Sequence, residues 1–122
     1  MIHFTAMFGY MESVEHEFLR SLGMSVKMDD ADGTVSWPRV AAQCDYQGPV
    51  GFEDLLDIEL SIERLGAKSV TYQFNIQCQG KPTAQGKMTA VCCRIEHDVA
   101  PKSIPIPSWL VEQLRTFETP AS

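Results

Sequence analysis

The amino-acid sequence predicts one α+β domain, residues 1–122, in which an antiparallel sheet covers a strongly apolar helix. Apolar residues recur every three or four positions between Phe4 and Leu22, which is the spacing of a helix with one buried face. Two later segments alternate strictly between apolar and polar residues, as strands with one buried face do. With 122 residues, 44% of them hydrophobic, the chain has enough apolar surface for one packed core.

The helix should end at Gly23, because glycine readily takes the left-handed conformation that closes a helix. An acidic turn at residues 29–33 then leads into a strand at residues 34–46. The alternation slips at Pro38 and Arg39, which indicates a bulge or bend inside that strand.

Three further strands and a short helix follow. The strands are predicted at residues 56–63, 70–78 and 83–95, with turns at 65–68 and 79–82. One face of the last strand carries mostly small residues, which let the helix approach closely: Ala84, Gly86, Met88, Ala90 and Cys92. The C-terminal helix is predicted to have Ser108 as its N-cap and an apolar side formed by Trp109, Leu110, Leu114 and Phe117.

Composition excludes several classes of function. The net charge of −6 argues against binding to nucleic-acid backbones, and no apolar run is long enough to span a membrane. The N-terminus does not resemble a signal peptide, and the four cysteines lack the spacing of a metal site, so we expect reduced thiols, no metal and a cytoplasmic location. No serine-hydrolase elbow, P-loop or dinucleotide fingerprint is present.

Several segments, taken in order and spacing, resemble the 4-hydroxybenzoyl-CoA thioesterase family. Residues 2–12 and 15–23 are similar to the central helix of that family. The other similar segments are WPRV at 37–40, PVGFEDLLDI at 49–58, RLGAKSV at 64–70, AQGKM at 84–88 and IPSWL at 106–110. The resemblance therefore extends over almost the whole chain, although no single motif carries it.

The resemblance implies a hot-dog fold, in which a curved antiparallel sheet wraps around a long central helix. It implies an enzyme that hydrolyses acyl or aroyl thioesters of coenzyme A, or of an acyl carrier protein, without a cofactor. Two protomers of such proteins usually pair with the active sites at their interface, so a homodimer or homotetramer is expected. The alternative is a non-catalytic module of the same fold that holds an acyl thioester.

One departure from the family concerns the N-terminus. In the family, a first strand and a loop with the catalytic Asp precede the central helix, whereas Met1 stands here where that loop finishes. Either the natural start codon lies further upstream, or the chain is short and works poorly, differently or not as an esterase. We favour the first explanation, because a sheet that lacks its first strand exposes backbone groups.

Three residues are the catalytic candidates. By resemblance, the backbone N–H of Phe4 donates to the oxyanion, a role that the free N–H groups of a helix start can fill. Glu12 is the best remaining carboxylate, because another branch of hot-dog thioesterases places its catalytic Glu on this helix; the alternative is a structural hydrogen-bonding role. His3, at the helix entrance, either positions water or is an ordinary solvated histidine.

Two groups of residues are candidates for substrate binding. Met7, Phe8 and Met11 form an apolar, adaptable surface that suits fatty and aromatic acyl groups alike. At the first hairpin, cationic and hydroxyl side chains could bind the phosphates of coenzyme A, or could belong to an ordinary charged turn; these are Arg64, Lys68 and Ser69.

Overall fold

A computed structural model describes residues 4–24, 27–30, 33–48, 56–96 and 99–118. Two helices and eight strands lie within these residues. In chain order they are α1 (Phe4–Ser21), β1 (Lys27–Asp30), β2 (Gly33–Ser36), β3 (Arg39–Tyr46), β4 (Asp57–Leu65), β5 (Ser69–Cys78), β6 (Lys81–Val91), β7 (Cys93–Ile95), β8 (Lys102–Ser103) and α2 (Ser108–Arg115).

The strands form two four-stranded sheets, with the orders β1-β2-β7-β8 and β3-β6-β5-β4, and neighbouring strands are antiparallel. The chain passes between the sheets twice, at residues 37–38 and at Cys92. The strands predicted at 34–46 and 83–95 are therefore each divided in two. The bend expected at Pro38 is where the first division falls, since proline cannot donate to a ladder.

The helix α1 forms as the apolar spacing predicts. Met7 and Met11 are fully buried and Leu19 nearly so, because positions three or four apart share one helix face. Gly23 closes the helix with φ of +77°, and the N–H of Met24 donates to the carbonyl of Leu19 at 2.9 Å. This confirms the predicted C-terminal glycine.

The small-residue face of β6 receives α1, as predicted. Ala84, Gly86, Met88 and Ala90 are all buried. The sulfur of Met11 occupies the place where a β-carbon on Gly86 would stand, so only glycine permits this approach.

The direction of α1 across the sheet follows from its contacts. Near its start, Met7 packs with Ile76, close to the turn between β5 and β6. Near its end, the Phe18 ring contacts that of Tyr72 edge-to-face, with 5.8 Å between the centroids. The helix therefore begins at the β5–β6 turn and ends towards the β4–β5 hairpin.

Some short elements differ from the prediction. Residues 29 and 30 belong to strand β1 instead of a turn, and β8 was not predicted, because two to four residues are too few for a periodic pattern. The second hairpin turn is only Gln79-Gly80, both with positive φ, so Lys81 and Pro82 already belong to β6.

The C-terminal helix also differs in detail. Ser108 is the first helical residue and Pro107 takes the N-cap position without a side-chain hydrogen bond, so the predicted N-cap was wrong. Leu110 and Leu114 are buried as expected, but Trp109 is 49% exposed.

In the part of the chain that the structure describes, no helix is both long and apolar enough to cross a bilayer.

Candidate active site

The start of α1 is the first part of the candidate site. The helix begins at Phe4, so its first N–H groups have no partner within the helix and carry partial positive charge. Such a terminus can stabilise an anion that develops next to it. His3, predicted to lie at the helix entrance, is outside the described residues.

The apolar residues predicted to line an acyl pocket lie at different depths. Met7 and Met11 are completely buried between α1 and the sheet, whereas Phe8 is half-buried. An acyl group could contact the two methionines only if their flexible side chains moved. Their role in binding therefore stays a prediction.

Glu12 lies on the exposed side of α1. Its side chain is 55% exposed, and its carboxylate is 3.9 Å from Nε2 of His16, one turn further along the helix. This carboxylate is accessible to water and to a ligand. Because Glu12 follows Phe4 by eight residues, it lies about 12 Å from the helix start along the axis.

The three residues of the first hairpin lie close together but far from the start of α1. Arg64 and Lys68 are exposed and Ser69 is half-buried. Beside them is an open cleft of about 460 Å³ between the hairpin and α2, lined by Leu65, Gly66, Ala67, Val111, Arg115 and Glu118. In a single chain this hairpin lies at the opposite end of β5 from Ile76, about 20 Å away.

One buried carboxylate, Glu15, was not among the residues predicted from the sequence. This residue is 0% exposed and accepts a hydrogen bond from the guanidinium of Arg39. Burial raises the pKa of Glu15, and the neighbouring Arg39 only partly opposes that effect. A sequence signal was present: Glu15 is a charged residue four positions after Met11 and four before Leu19, in the middle of the apolar stripe.

Tyr72 of β5 extends the surroundings of this carboxylate. The side chain is 1% exposed, and burial, with the charge of Glu15, raises its pKa. The phenol is therefore neutral at physiological pH.

Among the described residues, no group of three or more His, Cys, Asp or Glu side chains is arranged to hold a metal ion.

The architecture, a long helix packed across an antiparallel sheet, is shared by a known superfamily. The model of the thioesterase-like superfamily matches residues 1–114. The chain belongs to this superfamily and has the hot-dog fold, as the resemblance in the sequence implied.

Individual relatives agree with this assignment. A putative esterase of Aquifex aeolicus is 27% identical over 116 residues, which cover 94% of this chain and 85% of that protein. The solved structure of a gentisyl-coenzyme A thioesterase is 25% identical, with a TM-score of 0.77 over 93% of this chain and 86% of its own. A 1,4-dihydroxy-2-naphthoyl-CoA thioesterase from Synechocystis shares the fold at 18% identity, with a TM-score of 0.78 over 98% and 86%.

Proposed function

We propose that the protein hydrolyses acyl or aroyl thioesters of coenzyme A to the free acid and the thiol. Membership of the thioesterase-like superfamily supports thioester hydrolysis in general. The observation that carries the proposal for this chain is that one helix offers both an accessible carboxylate, Glu12, and N–H donors at its start that have no partner within the helix. Thioester hydrolysis needs both: donors for the oxyanion and a base for water.

The two groups are too far apart to act on one thioester within a single chain, because about 12 Å of helix separates Phe4 from Glu12. A second copy removes this difficulty. If two copies pair about a twofold axis perpendicular to α1, their α1 helices run in opposite directions, and Glu12 of one copy can approach the helix start of the other. We propose a homodimer, or a tetramer built from such dimers, with two composite sites.

Strand β3 is the surface that suits this pairing. It forms one edge of its sheet and, within the described residues, pairs only with β6. Apolar side chains are exposed along this edge, Val40 at 63% and Tyr46 at 43%, and on α1, which contacts β3, Tyr10 at 38%. An exposed apolar edge strand favours antiparallel pairing with a second copy.

The proposed reaction proceeds in two steps. Glu12 removes a proton from water as the oxygen adds to the thioester carbonyl carbon, and the N–H of Phe4 donates to the resulting oxyanion. The carbon–sulfur bond then breaks, the carbonyl forms again as an acid, and the thiolate of coenzyme A takes up the proton. No cofactor is consumed.

This function is tested by following the release of free thiol from saturated, branched and aromatic acyl-CoAs. We expect thiol release in proportion to protein for at least one acyl class, and none from the matched oxygen esters at comparable rates. Thiol release from none of these thioesters, by a protein that is folded by circular dichroism, would contradict the proposal and favour a non-catalytic acyl-binding module.

The hairpin cations are proposed to bind the phosphates of coenzyme A. Replacing both Arg64 and Lys68 by Ala should raise KM for an acyl-CoA about tenfold, because exposed ion pairs to phosphate are modest individually, and leave kcat almost unchanged. The matched control is the same acyl group on N-acetylcysteamine, which lacks the phosphates. Its KM should not respond, and an equal rise for both substrates would exclude phosphate binding.

A further inference from the structure

A buried ion pair joins the middle of α1 to the beginning of the edge strand β3. Glu15, completely buried, accepts from Nη2 of Arg39, the first residue of β3, which lies 24 positions later in the sequence. The side chain of Arg39 is 24% exposed. In the described part of the chain, this is the ion pair that links the helix to a strand.

The pair is incompletely satisfied. Oε2 of Glu15 and Nε of Arg39 are both buried without a hydrogen-bond partner among the described residues. A fully buried carboxylate and a largely buried guanidinium with unused bonding capacity contribute little net stability, and apolar residues of similar size would often be as stable. The pair therefore suits a positioning role, because a hydrogen bond between a guanidinium and a buried carboxylate is strong only over a narrow range of distances and angles.

The same guanidinium reaches the exposed side of α1. Nη2 of Arg39 also lies 2.9 Å from Nε2 of His16, and His16 in turn is 3.9 Å from the carboxylate of Glu12. Arg39 is thus connected to the buried side of the helix through Glu15 and to the exposed side through His16. Contacts on both sides restrict rotation of α1 about its axis as well as sliding along β3.

We infer that Glu15 and Arg39 are positioning residues, which hold α1 in one orientation relative to the edge strand β3. The inference rests on the proposed function, in which β3 joins two copies and Glu12 of one copy serves the helix start of the other. Any rotation of α1 relative to β3 would move Glu12 away from the partner's thioester. A misplacement of about 1 Å can reduce the rate of a positioned reaction about 100-fold.

A second ion pair on the same sheet, between Lys87 and Glu63, provides a control for the loss of a charge. Lys87 and Glu63 are 2.8 Å apart and also 24 positions apart, but both are exposed, at 40% and 37%. They join β6 to β4 without contacting α1. A surface pair of this kind contributes little to stability, so Glu63→Gln removes an equivalent charge without affecting the helix.

The test compares Glu15→Gln, Arg39→Lys and the exchanged pair E15R/R39E with the control Glu63→Gln. Steady-state hydrolysis of one acyl-CoA gives kcat and KM, and amide hydrogen exchange reports on α1, β3 and β5 separately. We expect both single variants to lower kcat about tenfold or more with KM within about threefold, and to increase exchange in α1 and β3 more than in β5. The exchanged pair should recover part of kcat.

Two results would overturn the inference: folded single variants with unchanged kcat, or a loss of protection that is equal in α1, β3 and β5. If Glu15→Gln does not fold, Arg39→Lys, which keeps the positive charge, decides the question. If the unaltered protein cleaves no thioester, the proposed function fails, and the exchange pattern alone then decides whether the pair fixes α1 against β3.

Discussion

Replacing Glu12 by Gln should lower kcat for thioester hydrolysis about 100-fold or more and leave KM within about threefold. The amide has nearly the shape of the carboxylate but cannot accept a proton from water, and general bases contribute rate factors of about 10²–10⁴. Glu12 is exposed, so its loss should not affect folding. The measurement is steady-state thiol release, with unfolding in urea to confirm equal stability.

Glu17→Gln is the matched control, because this glutamate also lies on the exposed side of α1. It should retain the activity of the unaltered protein. Equal activity of the Glu12 and Glu17 variants would remove Glu12 from the catalytic site and leave it with a structural hydrogen-bonding role.

A mixing experiment extends this prediction to the composite site. Phe4→Pro removes the proposed oxyanion donor, and proline is tolerated in the first turn of a helix. Alone, this variant and Glu12→Gln should each be about 100-fold or more less active than the unaltered protein. After unfolding and refolding as an equal mixture, about a quarter of the original activity should return, since half of the dimers then contain one intact site. No recovery would place both groups of a site on one chain.

The second large effect concerns the contact between Met11 of α1 and Gly86 of β6. Gly86→Ala should destabilise the protein by about 1–3 kcal/mol, because the added methyl group collides with the sulfur of Met11 and lies 3.4 Å from the carbonyl oxygen of Gln43. Met11→Ala should cost about 2–5 kcal/mol, because it leaves a cavity in a completely buried position. Equilibrium unfolding in urea measures both values.

The double variant G86A/M11A tests whether this contact causes both effects. It should be less destabilised than the sum of the two single variants by about 1 kcal/mol or more, because the methyl group added at position 86 then fills part of the space that Met11 leaves. Gly9→Ala is the control: Gly9 lies on the same helix with no atom within 4 Å of the added carbon, so it should be neutral or slightly stabilising. Simple additivity would contradict the packing argument.

The regular part of the fold was predictable because its signals are local. Strand β5 alternates without interruption, and its buried residues include Val70, Tyr72, Phe74 and Ile76. The spacing in α1 likewise follows from helix geometry alone. The division of one predicted strand at Cys92 was not predictable, because the residues on either side remain extended and only their pairing partners change.

The candidate site was predictable only in part, for a similar reason. Exposed residues such as Glu12 and Arg64 could be proposed from type and resemblance. The depth of Met7 and the pairing of Glu15 with Arg39 depend on elements distant in the sequence. A charged residue in an apolar stripe indicates that some partner exists, but a single sequence does not name it.

The two outer strands of the sheet β3-β6-β5-β4 differ in how far their edges are already occupied. Strand β4 has a register shift between Ile62 and Arg64, and the N–H of Ile62 is occupied by the carbonyl of Phe117. Both outer strands have one register shift against their neighbours, so the difference lies in occupation: the segment after α2 already covers part of the β4 edge, whereas β3, within the described residues, pairs only with β6. In the proposed dimer, each copy would contribute β4 as the outer strand of the joined sheet, and the occupied β4 edge would oppose further growth of this sheet into fibrils.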